Sequence, residues 1–184
     1  MVWLIGSLNL SPVQRLCFNE RVFSVNLTSV LSFRKKTETF AYLLCLIACN
    51  FLSDLEQDGF SKNPFFHVVI AEVPEQHRTK EGHTKIGYAL YFYSYSSWKG
   101  RSIYMLDLYV MPEFRGKGVG KALMSKVAQL ALAAGCHQLN FTVADWNKPS
   151  MDFYLSQGCF DVTASLGYHC MRCEGEALEH LAQP

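Results

Sequence analysis

Charge of either sign is scarce in this sequence, and no stretch of it is strongly basic or acidic. The 184 residues carry 17 Lys and Arg against 16 Asp and Glu, which leaves a formal net charge of +1. A surface that binds nucleic acid usually needs a basic stripe, and acidic tails are visible as runs of Asp and Glu. Neither occurs here, so we expect no nucleic-acid partner. A chain of this length predicts one domain with a substantial core.

A hydrophobic run long enough to span a membrane is also missing. The apolar stretch 40–52 is interrupted by Asn50 and has about 13 residues, whereas a membrane-spanning helix needs about 20. The stretch lies too far from residue 1 to be an ordinary signal peptide. We interpret it as a core helix, with an interfacial helix or a weak internal anchor as alternatives. We therefore expect no membrane partner.

The seven cysteines have no regular spacing. Cys170-Met171-Arg172-Cys173 is a single Cys-x-x-Cys, and a structural zinc site needs a second pair of ligands. We expect no bound metal. Reduced, buried or half-buried thiols in a reducing compartment fit this count best, which predicts a cytoplasmic protein.

Three glycines stand at a predicted junction between a strand and a helix, in the stretch Arg115-Gly116-Lys117-Gly118-Val119-Gly120. The run 103–112 before it is rich in β-branched and aromatic residues. The run 121–134 after it continues a helical apolar spacing, which comprises Val119, Leu123, Val127, Leu130 and Ala131. Main-chain N–H groups at such a junction, with Lys117 and Lys121 nearby, predict a pyrophosphate cradle.

Other glycine loops fit this stretch less well. No Gly-Lys-Ser/Thr ends it, as a P-loop requires, and the Gly-x-Gly-x-x-Gly fingerprint of dinucleotide-binding folds is not matched. A glycine turn without any ligand is the remaining alternative.

Two further stretches could carry chemistry. Leu108-Tyr109-Val110 enters the glycine turn, and its free N–H groups could bind an extended cofactor and polarise a carbonyl group; an ordinary core strand is the alternative. In the run 145–154, Asn147 could cap a helix that begins near Pro149. Tyr154 lies about one turn into that helix and could donate a proton to a leaving thiolate, or could simply be a core aromatic.

The remaining patterns predict an α/β fold with a mixed sheet. We predict strands at 65–73, 85–98 and 102–111, a hairpin turn at 98–101, the helix 121–134, a strand at 138–144, a helix at 149–157, strands at 160–163 and 168–173, and a helical turn at 176–181.

Together these features resemble the GNAT acetyltransferase superfamily, whose cofactor motif Arg/Gln-x-x-Gly-x-Gly/Ala is matched by Arg115, Gly118 and Gly120. The resemblance implies the GNAT fold, a mixed central sheet with helices on both faces in a single domain. Over about 52–182 the chain more narrowly resembles the diamine (spermidine/spermine; thialysine) acetyltransferases of the second form. Asp58-Gly59-Phe60, Asn63-Pro64-Phe65, Trp98-Lys99-Gly100-Arg101 and Asp145-Trp146-Asn147 are among the stretches that carry this likeness.

The resemblance implies transfer of acetyl from acetyl-CoA to a primary amine of a small polyamine-like or thialysine-like substrate. Tyr154 would be the catalytic proton donor, and a homodimer is expected. The implied cofactor-binding residues are Leu108, Tyr109, Val110, Arg115, Gly116, Lys117, Gly118, Val119, Gly120, Lys121, Asn147, Lys148, Pro149 and Ser150. Asn140, Phe141 and Thr142 would line the substrate channel.

Two departures from the family pattern qualify this prediction. Family members have Leu-Glu-Asp where this chain has Met105-Leu106-Asp107, and the glutamate is thought to deprotonate the incoming ammonium through water. Leu106 cannot do so, and Asp107 is expected to point to the opposite face of the strand. A catalytically weak, CoA-binding pseudoenzyme is therefore the alternative function, and a peptide N-acetyltransferase is a third.

The second departure is the N-terminal segment 1–51, which reproduces none of the family's first strand, first helix or Tyr-Glu substrate contact. We interpret it as an alternative or mispredicted first exon or as a genuine divergent anchor. The acetyltransferase domain is accordingly predicted at 52–184.

Overall fold

A computed structural model describes the backbone at 2–3, 14–18 and 21–25 and the residues 57–59, 61–80, 82–168 and 170–183. The apolar stretch 40–52 lies outside the described residues. In the part that is described, no helix is both long and apolar enough to cross a membrane. The chain divides into two compact units, 1–141 and 142–184, and each is described separately below.

The first unit contains a seven-stranded sheet in which β6 and β7 pair in parallel and all other pairs are antiparallel. This confirms the predicted mixed sheet. The order is β2-β3-β4-β5-β6-β7, with β1 also paired to β4. The strands are β1 Val2–Trp3, β2 Gln14–Phe18, β3 Arg21–Val25, β4 His67–Glu72, β5 Lys85–Ser96, β6 Gly100–Val110 and β7 Gln138–Asn140.

The longest strands, β5 and β6, form the predicted hairpin. Ser96 pairs with Gly100 across a tight turn, and Gly100 has a φ of 78°, a left-handed conformation that favours glycine. The pairing of β5 with β6 is regular except for one register shift near the middle of the hairpin. Leu90 faces Asp107 whereas Tyr91 faces Met105, so Leu106 is one extra residue in β6 and forms a β-bulge.

One helix of this unit, α1 (Val119–Ala133), covers one face of the sheet. It buries Val119, Leu123, Met124, Val127 and Ala131, which confirms the predicted apolar face apart from Leu130, which is half-buried. The helix contacts β4, β5, β6 and β7. Beneath it lie residues that are at most 1% exposed: Val69, Ala89, Tyr91, Ile103 and Met105. Burial of each of the larger side chains in this group contributes about 1.5–3 kcal/mol to the free energy of unfolding.

A second, smaller cluster lies on the opposite face of the sheet. Its buried members are Val68, Ile70 and Tyr88, and the partly buried Phe66, Leu90 and Tyr109 pack against them. The two clusters alternate along the strands, as the period of two in a strand requires.

β7 is shorter than the predicted strand at 138–144. Its pairing with β6 ends where Asn140 faces Tyr104, and 141–144 has no regular structure. The last pair of this ladder lies next to the bulge, which begins after Met105, and a bulge disrupts the local pairing of its strand.

The described residues of the second unit form three helices: α2 Lys148–Ser156, α3 Val162–Leu166 and α4 Glu176–Leu181. The predictions of α2 and α4 are confirmed, but the predicted strands at 160–163 and 168–173 are wrong. Asp161 caps α3, because its side chain accepts hydrogen bonds from the N–H groups of Thr163 and Ala164 at 2.9 and 3.3 Å. Gly167, with a φ of 69°, ends the helix. These local caps outweigh the strand preference of the β-branched residues in this stretch.

Candidate active site

The glycine loop lies between β6 and α1. After β6 the chain forms a 3-10 turn, Pro112–Phe114, and then passes through Gly116 and Gly118 with φ values of 69° and 83°. An L-amino acid with a side chain would be strained at either position. Gly118 is also the N-cap of α1 and provides no side-chain acceptor, so the N–H groups of the first helical turn have no side-chain cap.

Cationic side chains flank this loop and are anchored to the main chain. The Arg115 Nε donates to the Val110 carbonyl at 2.8 Å, and its guanidinium lies 5.8 Å from the centre of the Tyr109 ring. The Lys117 Nζ donates to the Glu113 carbonyl at 2.6 Å. Lys121 is exposed in the first turn of α1. Positive charge at the start of a helix with uncapped N–H groups favours an anionic ligand.

The second half of β6 presents an edge on the side away from β5. The Met111 N–H donates to the Ile86 carbonyl at 2.9 Å, so these two residues form a hydrogen-bonded pair of the ladder. Tyr109 and Tyr88, two residues further along, form the next such pair. By the alternation of an antiparallel ladder, the N–H groups of Leu108 and Val110 point away from β5. Among the described residues no strand pairs with 105–110 on that side, since β7 ends opposite Tyr104. Such an edge can bind an extended ligand that carries amide groups.

The bulge determines which way the side chains of 105–107 point. Met105 is 1% exposed beneath α1, whereas Leu106 is 51% exposed. Leu106 therefore does not share the face of Met105 and leans to the side of Asp107, the residue that faces Leu90. The expectation that Leu106 and Asp107 point to opposite faces is wrong, because the alternation on which it depended is interrupted at this point.

Asp107 is half-buried beside the smaller of the two apolar clusters. Leu90 lies opposite it, and Tyr88 and Tyr109 are its diagonal and same-strand neighbours on that face. Burial raises the pKa of the Asp107 carboxyl above its usual range. Burial raises the pKa of the Tyr88 phenol as well, and the negative charge of Asp107 adds to that increase.

In the second unit the predicted residues of the run 145–154 come together on α2. Asn147 is the N-cap, as predicted, and its Oδ1 accepts a hydrogen bond from the Ser150 N–H at 3.4 Å. Pro149 lies in the first turn, where its missing N–H is of no consequence. Lys148 is exposed, and Tyr154 is half-buried with its ring centre 5.3 Å from that of Phe153.

The predicted channel residues are divided between the two units. Asn140 ends β7 and Phe141 follows it in the first unit, whereas the exposed Thr142 begins the second unit. Sequence reasoning thus grouped three consecutive residues that belong to different compact units.

The described cysteines bear on the expectation of reduced thiols without a bound metal. Cys136, Cys159, Cys170 and Cys173 are all free. Cys136 is buried and Cys159 half-buried, as expected, but Cys170 and Cys173 are exposed, so the predicted burial is wrong for these two thiols. Within the described ranges, no group of three or more His, Cys, Asp or Glu side chains is arranged to hold a metal ion.

Comparison with known proteins gives one family. The model of the acetyltransferase (GNAT) family matches residues 43–159. A thialysine N-epsilon-acetyltransferase from Bos taurus is 48% identical over 128 residues, which cover 70% of this chain and 75% of that protein. A human spermidine/spermine N(1)-acetyltransferase-like protein 1 is 35% identical over 71% of this chain, although the match covers 19% of that protein.

A solved structure supports the same fold. An integron cassette protein from the mobile metagenome of V. cholerae superimposes with a TM-score of 0.62 and is 26% identical, over 80% of this chain and 86% of that protein.

Proposed function

The chain belongs to the acetyltransferase (GNAT) family and is an N-acetyltransferase, and on that premise we propose that it acetylates a primary amine of a small polyamine-like or thialysine-like substrate. The relatives that carry the substrate names support this class of acceptor. The acetyl donor in this proposal is acetyl-CoA.

The glycine loop is the observation that carries the proposal. Its two left-handed glycines, its uncapped helix start and the exposed charges of Arg115 and Lys117 fit a pyrophosphate. In the proposal these residues bind the cofactor phosphates together with Val119, Gly120 and Lys121. On the second unit, Asn147, Lys148, Pro149 and Ser150 provide a further contact.

The edge of β6 provides the second part of the proposed site. The N–H groups of Leu108 and Val110 would hold the pantetheine and polarise the acetyl carbonyl, while Tyr109 would contribute its ring rather than its main chain, which pairs with β5. When bound, acetyl-CoA supplies an activated thioester, and the net reaction converts this thioester and an ammonium group into an amide, a thiol and one proton. The Tyr154 hydroxyl would donate the proton that the sulfur receives.

The acceptor side of the proposal includes Asn140, Phe141 and Thr142 as lining residues. We also propose the domain limits 52–184, a homodimer and a cytoplasmic location, which gel filtration and cell fractionation would test. The divergent segment 1–51 is assigned no role in catalysis.

The alternative is a CoA-binding pseudoenzyme, which the exposed hydrocarbon of Leu106 favours. Release of free thiol from acetyl-CoA by the purified chain separates the two functions, with spermidine, thialysine and a peptide panel as acceptors. We expect turnover with the small diamines and a loss of about 10²-fold or more for Tyr154→Phe. Binding of CoA without turnover on any acceptor would contradict the proposal and support the pseudoenzyme.

A further inference from the structure

Asp107 is the one carboxylate on β6, and neither its charge nor its burial serves the fold in an obvious way. In the described part of the chain its side chain has no ion pair and no hydrogen bond. A half-buried carboxylate without a partner costs folding free energy. Such a group is a candidate for a role in chemistry.

The bulge brings this carboxylate to the face of the sheet opposite α1. Leu106 and Asp107 lean to the same side, and Asp107 immediately precedes Leu108, whose N–H group points to the open edge of β6. The carboxylate thus lies within one residue of the main-chain groups that would hold the thioester. Without the extra residue at 106, Asp107 would fall on the buried face beneath α1.

The incoming amine needs a base at this place. A lysine-like ammonium group has a pKa of about 10.4, so fewer than about one in a thousand is neutral at pH 7. Only the neutral amine is a nucleophile. Burial raises the pKa of Asp107, which makes its carboxylate a stronger base than an exposed aspartate.

We propose that Asp107 accepts the proton of the acceptor ammonium, directly or through one water, in place of the carboxylate that position 106 lacks. This role rests on the proposed function. The nitrogen of the ammonium keeps its electron pair as the N–H bond breaks, the proton binds to a carboxylate oxygen of Asp107, and it leaves to solvent after the amide has formed. This is the one proton that the net reaction releases.

The other titratable groups near Asp107 on this face are three phenols and one guanidinium. On β5 the neighbour is Tyr88, on β6 they are Tyr104 and Tyr109, and beside Tyr109 lies the Arg115 guanidinium. Burial raises the pKa values of Tyr88 and Tyr109 above their usual range, so neither phenol ionises near neutral pH. A change in the rate profile on removal of the carboxylate is therefore attributable to Asp107.

The test compares kcat/KM for spermidine and thialysine against pH in four proteins: the unmodified chain, Asp107→Asn, Asp107→Asn with Leu106→Glu, and Asp152→Asn. Asp107→Asn should lower kcat/KM by about 10²-fold at pH 7, and the deficit should shrink toward the pKa of the amine. Leu106→Glu should restore activity in the double variant, because both side chains lean to the same side. Asp152, an exposed carboxylate on α2, is the matched control and should behave as the unmodified chain.

A readout without cofactor or turnover accompanies the rates. In a carbon-13 carboxyl titration of the ligand-free protein, the signal that Asp107→Asn removes should titrate above the usual range of aspartate. Turnover with the same pH profile in Asp107→Asn and the unmodified chain would overturn the role of Asp107 alone. Absence of turnover by the unmodified chain on every amine would overturn the proposed function and this role with it.

Discussion

Two glycines near the candidate site are required for different physical reasons. A Cβ on Gly87 would lie 2.6 Å from the carbonyl oxygen of Tyr109 on the neighbouring strand, a distance that real Cβ atoms do not reach. Gly118 has open space around it but a φ of 83°. Gly87 thus permits close approach of β5 to β6, whereas Gly118 permits the turn into α1.

A pair of substitutions distinguishes the role of Gly118 in folding from its role in cofactor binding. Gly118→Ala and Gly82→Ala both place a side chain on a left-handed residue with no atom within 4 Å, so each should cost about 1 kcal/mol of unfolding free energy. Calorimetric titration with CoA should show weaker binding for Gly118→Ala and unchanged binding for Gly82→Ala. Equal affinities in both variants would remove the glycine loop from the cofactor site.

At the scale of elements, α1 both covers the sheet and supplies the start of the anion site. Its buried residues recur on one side of the helix, and the opposite side is in water. The position of its first turn beside the glycine loop therefore depends on the packing of residues such as Leu123, which lies about one turn further along the helix and is buried against the sheet.

A matched pair within α1 measures this dependence. Leu123 is 0% exposed and Leu132 is 71% exposed. Leu123→Ala should lower the unfolding free energy by about 2–5 kcal/mol, because it leaves a cavity beneath the helix. Leu132→Ala should change it by less than about 0.5 kcal/mol. Urea denaturation of the two variants checks both values, and similar losses would contradict the assigned face of the helix.

At the scale of the whole molecule, two half-buried ionisable groups give folding stability opposite dependences on pH. Burial raises the pKa of Asp107 above its ordinary 3.8 and lowers that of His67 below its ordinary 6.5. The His67 Nδ1 is buried without a hydrogen-bond partner, and its ring lies 5.4 Å from that of Tyr91. Both groups are most stable in the folded protein when neutral.

The signs follow from proton linkage. For Asp107 the folded state binds the proton more tightly, so its contribution is present at low pH and is lost as pH rises through the raised pKa. For His67 the contribution is present above pH 6.5 and is lost as pH falls through the lowered pKa.

Urea denaturation from about pH 4 to about pH 8 of Asp107→Asn and His67→Gln checks these signs. Relative to the unmodified chain, Asp107→Asn should gain stability as pH rises, and His67→Gln should gain stability as pH falls. A difference that does not vary with pH would show that the group in question titrates alike in both states.

Much of this molecule could be predicted from local pattern. The hairpin, the glycine turn, the apolar face of α1 and the Asn147 cap all follow from residues close together in sequence. The bulge could not, because it depends on which residues of β6 face β5. One signal was present: strict alternation from Ile103 and Met105 would have placed the acid Asp107 on the buried face. The strand predicted at 160–163 is wrong because Asp161 caps a short helix there and Gly167 ends it.

The extra residue in β6 also has a consequence for how this family can diverge. Leu106 faces no residue on β5, and half of its surface is in water. Exchange of its side chain leaves the ladder and the core intact, so Leu106→Glu should alter the unfolding free energy by less than about 0.5 kcal/mol. Position 106, next to the proposed base, can therefore change without loss of β-sheet pairing or core packing. Single substitutions there can add or remove a base without loss of the fold, which makes position 106 a place where related enzymes can acquire different pH optima and acceptors.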